Sequence, residues 1–185
     1  MKLRIAVLVL VVLTGSISGL RAQNKIGIRA GYQNTSFRVD GSKVDGTDYY
    51  HSFYVGFFKE HKIVPVFHVG YGLDFNRTGQ MWNSKNDKVV LNNLSVPVYL
   101  KAKLGPVFAV GGVAPSFKIS EKYSDNHTDS PFGDDKYKTL SFPLFGGVGV
   151  KILMFTIEGR YYWGLNEINN GVKNQYVQLG AGISF

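Results

Sequence analysis

The 185-residue chain has no cysteine, only six prolines and two tryptophans. Without thiols there is no disulfide staple, no thiolate nucleophile, no lipid-bearing cysteine and no cysteine-based zinc cluster. Beyond residue 22 no run of about 18 apolar residues occurs, so no transmembrane helix is encoded. Helical periodicity is scarce throughout. Arginine-rich runs and aromatic–basic motifs are also missing, which speaks against nucleic acid as a partner. No phosphate loop, carboxylate pair or metal-ligand spacing stands out, so neither a cofactor nor an enzymatic activity is expected.

What the chain does have begins at its first residues. Lys2 and Arg4 precede an unbroken apolar run from Ile5 to Leu13, and small or polar residues then lead to Ala22. This is the anatomy of a secretory signal peptide over residues 1–22, too short to span a membrane. Cleavage after Ala22 would leave residues 23–185 as one domain. Lys2, Arg4 and Arg21 would depart with it and lower the formal charge from +8 to +5.

Glycine (22), phenylalanine (13) and tyrosine (11) are abundant, as in an all-β chain. Turn signals cut the mature chain into eight stretches, roughly 25–38, 49–60, 63–77, 90–104, 106–119, 139–152, 154–165 and 174–185. Short connections ("EHK" at 60–62, "GP" at 105–106, and the junction near Leu153) alternate with long polar ones at 39–48, 78–89, 120–138 and 166–174. That rhythm predicts an up-and-down meander.

Within each stretch apolar residues recur with period two. One face collects Ile26, Ile28, Phe53, Val55, Phe57, Leu73, Phe75, Leu100, Val107, Val113, Val148, Ile157 and their neighbours, with no charged residue among them. The other face carries Arg29, His68, Asp74, Lys101, Lys103, Lys118, Lys151, Glu158 and Arg160 amid many glycines. A soluble lipocalin-like barrel with an apolar ligand cavity would turn the first face inward; a membrane barrel would turn it outward. Three features favour the membrane. Aromatic residues crowd the strand ends, like interfacial girdles. Glycines suit the narrow lumen of eight strands. Each stretch also reaches the roughly 9–11 residues a tilted strand needs to cross a bilayer.

The stretch "NQYVQLGAGISF" continues the alternation to Phe185. Tyr176, Leu179, Ile183 and Phe185 resemble the C-terminal assembly signal of bacterial outer-membrane barrels. Inside, Arg29, Asp74, Lys101, Glu158 and Arg160 are expected to form an ionic cluster that plugs the lumen. Glu158 would be held first by Arg160, two positions along the strand, and by Arg29 across the barrel. Lys101, Lys103 and Lys151 fall near the short turns, where a solvated rim would also accommodate them. Val148→Arg is expected to disrupt insertion and Gly147→Ser to be milder. His51 and Ser52 are adjacent on a strand and point to opposite faces, and His127, Asp129 and Ser130 share a polar loop, so neither set makes a catalytic group.

The stretches "IEGRYYWGLNEI", "LSVPVYLKAKLG" and "VAPSF", with the phenylalanine ending, resemble the PorT-like small outer-membrane barrel family. That resemblance implies an eight-stranded barrel, integral to the outer membrane of a Gram-negative bacterium. Together these readings predict a monomer with its short turns and both termini periplasmic and its long loops extracellular. Its partners would be outer-membrane lipid and the barrel-assembly machinery. Its role would be that of a scaffold or interaction protein, with a secretion or envelope-assembly accessory as one form of that role; a lipid-modifying barrel enzyme is the remaining alternative.

Overall fold

The computed structural model describes residues 24–39, 42–43, 47–82, 88–123, 139–166 and 172–185. They form eight antiparallel strands: β1 (Asn24–Val39), β2 (Thr47–Lys62), β3 (Phe67–Trp82), β4 (Lys88–Ser95 and Val98–Leu104), β5 (Val107–Val113 and Ser116–Tyr123), β6 (Leu140–Ser141 and Pro143–Ile152), β7 (Phe155–Gly164) and β8 (Val172–Ser184). Each strand pairs with its neighbours in sequence, and β8 returns to β1, so the sheet closes. The expected signal peptide lies outside the described residues.

Closure runs over a long register, from Gly27 opposite Ser184 to Val39 opposite Val172. Phe185 continues it: its N–H donates to the Ile26 carbonyl at 2.8 Å, and its own carbonyl accepts from Ile26 N–H at 3.2 Å. The alternation therefore persists to Phe185 because that residue still forms a rung. An open edge in hydrocarbon would leave every such group without a partner.

Across the barrel the wall is different. β4, β5 and β6 are each interrupted, at Val96-Pro97, Ala114-Pro115 and Phe142, just before Pro143. A proline has no N–H to give to a ladder, so continuous pairing cannot pass through it. The carbonyls take over: Gly72 N–H donates to Pro97 O at 3.0 Å, Val96 N–H to Pro115 O at 2.8 Å, and Ala114 N–H to Pro143 O at 2.9 Å. One bond per strand thus carries the sheet past the three prolines.

Several strands run longer than expected. β2 continues through Glu60 to Lys62, and the turn falls at residues 63–66 rather than at "EHK". β1, β2 and β3 reach 16 residues each, beyond the about 9–11 that span a bilayer. Two connections are tight. Gly105 sits at φ 62°, which a glycine adopts freely, but Leu153 adopts φ 56°, an unfavourable conformation for a residue with a Cβ.

The apolar face points out. Ile157 is 71% exposed, Val148 64% and Leu179 57%, whereas Arg160 is 2% exposed and Asp74 2%. A barrel for an apolar ligand needs the reverse arrangement. Tyr32, Phe53, Phe117 and Trp163 lie exposed toward the long-loop end, and Phe67, Phe155 and Phe185 toward the short turns. They bracket the aliphatic band as two aromatic belts.

Candidate functional site: the filled interior

Register brings the interior charges together. Arg29 on β1 stands opposite Gly56 on β2, which stands opposite Asp74 on β3. Two strand spacings would put about 10 Å between the outer backbones. Gly56 leaves the space between them open, so Arg29 Nη2 reaches Asp74 Oδ2 at 2.7 Å and Arg29 Nε reaches Oδ1 at 3.2 Å. A side chain at Gly56 would run into the Asp74 carboxylate. The device recurs below: Glu60 stands opposite Gly70, and Gly70 opposite Tyr99. Tyr99 lies over Gly70 and donates its hydroxyl to Glu60 Oε1 at 3.0 Å.

Glu158 occupies the centre. Arg160 Nη2 lies 3.0 Å from it and Arg29 Nη1 3.9 Å away. Six side chains thus form two groups. Asp74, Arg29, Glu158 and Arg160 make a chain across the lumen, and Lys101 pairs beneath it with Glu60. Two details go beyond the sequence-based expectation. Arg29 is held chiefly by Asp74 rather than by Glu158. Lys101, expected in the lumen cluster with a solvated rim as the alternative, lies inside: its side chain is 6% exposed and bound to Glu60, a carboxylate that the expected cluster did not include. Lys151 also turns inward and donates to Ser184 Oγ.

Rings fill the space between the charges. Arg160 lies over Tyr99 at 5.3 Å and Phe145 at 5.2 Å from their centroids, and Lys101 lies over Phe108 at 4.3 Å. Such contacts offset part of the cost of removing the cations from water. Above them Phe145, Tyr162 and Tyr176 stack in sequence, with centroids 4.9 and 4.3 Å apart. Tyr176 is therefore an interior residue. It sits one residue out of phase with Leu179, Ile183 and Phe185, which follow the outer face. Higher still, amides and hydroxyls close the lumen: Gln178 donates to Gln33 at 2.8 Å, Asn93 to Thr78 at 2.9 Å, and Asn76 to Ser95 at 2.6 Å. The cavities left in the ionic and amide layers measure about 10 Å³ each, about one water-sized probe.

Among the described residues, His51 and Ser52 point to opposite sides of the wall. His51 faces out and stacks on Tyr32, while Ser52 faces in and donates to the Arg77 carbonyl at 2.6 Å. His127, Asp129 and Ser130 lie outside the described residues. Among the described residues no group of three His, Asp or Glu side chains could hold a metal ion.

Closure, an outward apolar band and a polar filled core together describe a membrane barrel, and sequence comparison agrees. Residues 21–170 match the model of the outer membrane protein beta-barrel domain. The chain belongs to that family. It is an integral protein of the bacterial outer membrane. No curated protein sequence matches it. Among solved structures it is similar to Ail, the attachment invasion locus protein of Yersinia pestis, in complex with the heparin analogue sucrose octasulfate. That match has 20% identity and a TM-score of 0.58, covering 88% of this chain and 99% of Ail. Neisserial surface protein A aligns at 14% identity with a TM-score of 0.53, over 86% of this chain and 97% of its own. At such identities the likeness establishes the fold alone.

Proposed function

We propose that this outer-membrane barrel is a non-conducting, non-catalytic scaffold whose long loops engage another envelope protein. A secretion or envelope-assembly accessory of the PorT-like kind is one form of that role. The observation that carries it is the filled lumen: an ion-pair chain from Asp74 to Arg160 capped by stacked rings and amides. Eight strands with an interior so occupied leave no water column for solutes. What remains to act on other molecules is the long-loop end, where β1, β2 and β3 carry the wall past the aromatic belt. In this reading the short turns and both termini are periplasmic and the long loops extracellular. The protein acts as a monomer, and Leu179, Ile183 and Phe185 form the outward strip read by the assembly machinery.

Planar-bilayer recording of the refolded barrel tests the plug: no stepwise conductance is expected, and anion-selective steps would replace the scaffold by a pore. Photo-crosslinkers placed in segments 83–87 and 167–171 should capture a discrete envelope protein, while one at Val148 should capture lipid. Removing Phe185 should lower the outer-membrane level several-fold where changing Asn126 does not; equal levels would rule out the assembly strip.

A further inference from the structure

In the interior, Arg29, Arg160 and Lys101 each meet a carboxylate. At the short-turn mouth that pairing stops. Lys25, Lys62, His68 and Lys103 line an open basin of about 240 Å³ with Pro65 and Gly105 at its edge. Backbone pairing fixes their convergence: Lys62 stands opposite His68 between β2 and β3, and the Lys103 N–H donates to the Val66 carbonyl of the turn at 2.8 Å. Among the described residues no carboxylate lines the basin. Glu60 stands opposite Lys25 but is already occupied by Lys101 and Tyr99. His68 adds an independent sign: it is 9% exposed, yet its buried Nδ1 has no hydrogen-bond partner. A buried polar nitrogen without a partner is costly in a finished structure.

We propose that this basin is a binding site for a phosphate-bearing anion. Three ammonium groups around one hollow favour a ligand with concentrated, multiply accepting negative charge, and a phosphate supplies it. Lysine binds phosphate as a point charge, so three convergent ammonium groups suit it without a fixed fork. His68 lines the same wall, so its imidazole senses a ligand that the lysines bring there. The phosphate can belong to a free anion or to an anionic lipid of the adjoining leaflet. Neither source depends on the scaffold role, because the site lies at the end opposite the long loops.

Imidazole NMR signals of the barrel in phosphatidylcholine nanodiscs read the site directly, since the chain has four histidines. Pyrophosphate should shift the His68 signal saturably and leave His51 unmoved. Lys62→Gln/Lys103→Gln should weaken that binding at least tenfold. Lys62→Gln alone, at an exposed position, should weaken it several-fold if the double variant does not fold, and Lys173→Gln should not change it. If the His68 shift appears only when phosphatidylglycerol is added to the nanodisc, the phosphate is a lipid's. No His68 response in either arm, an equal response to sodium chloride at matched ionic strength, or an undiminished response in the lysine variants would overturn the proposal.

Discussion

The wall where β8 meets β1 and the wall formed by β4, β5 and β6 do the same job by different means. The first is an unbroken ladder that extends through Phe185. The second carries three prolines on neighbouring strands and crosses them on single carbonyl-accepted bonds. Hydrocarbon demands that backbone donors and acceptors be matched, not that the matching be regular. The proline wall meets the demand because the groups freed beside each proline find one another across the break. The closing seam has no such arrangement and depends on every rung.

A proline introduced at the seam should therefore have the largest effect. Ala181→Pro removes a donor from β8, which pairs on both sides with β1 and β7. No folded barrel should appear by heat-modified gel mobility; a normal shift would mean that the seam has the slack of the opposite wall.

Glu158→Gln comes next, because it removes the carboxylate between Arg160 and Arg29. Stripping one partner from a buried ionic group costs about 3–5 kcal/mol when the site is dry. The thermal midpoint of the gel shift in detergent should fall accordingly. An unchanged midpoint would indicate that water already screens the cluster.

Val148→Arg puts a charge on the lipid face and should cost about 2–4 kcal/mol near mid-membrane. Reconstitution into vesicles of defined thickness would measure it. Gly147→Ser, its interior neighbour, is not the mild control that its small size suggests. A Cβ there would meet the Gly159 carbonyl oxygen at 2.5 Å and Arg160 Cγ at 2.9 Å, so it too should lower the midpoint.

The smallest effect belongs to the proline wall itself. Pro115→Ala restores a donor to a half-exposed strand break and should move stability by less than about 1 kcal/mol either way. Equilibrium urea unfolding in lipid can resolve this, and a loss of several kcal/mol would make the three prolines obligatory to the fold.

Much of this was legible in the residues. The two-residue period separated Ile157, Gly159 and Tyr161 from Glu158 and Arg160, and the structure keeps that division. The girdles and glycines pointed to the membrane for sound physical reasons. What periodicity could not supply was register. Glycine on the inner face reads as small filler, but that Gly56 separates Arg29 from Asp74, and Gly70 separates Glu60 from Tyr99, follows only from which residues lie opposite one another. The same gap left Glu60 out of the expected ionic cluster, and Tyr176 was grouped with Leu179 and Phe185 by motif although its parity sends it inside.

The closing ladder also bears on time. Gly27 and Ser184 lie near opposite ends of the barrel sequence, so their pairing is among the most distant contacts in the molecule. Bringing such remote segments together has the highest entropic barrier of any step, and it rewards the chain only when everything between is in place. Until β8 has been delivered, β1 waits with a raw edge exposed. The interval between emergence of the first strand and docking of the eighth is therefore when this protein is most prone to stick to copies of itself, and when an escort that covers β1 would matter most.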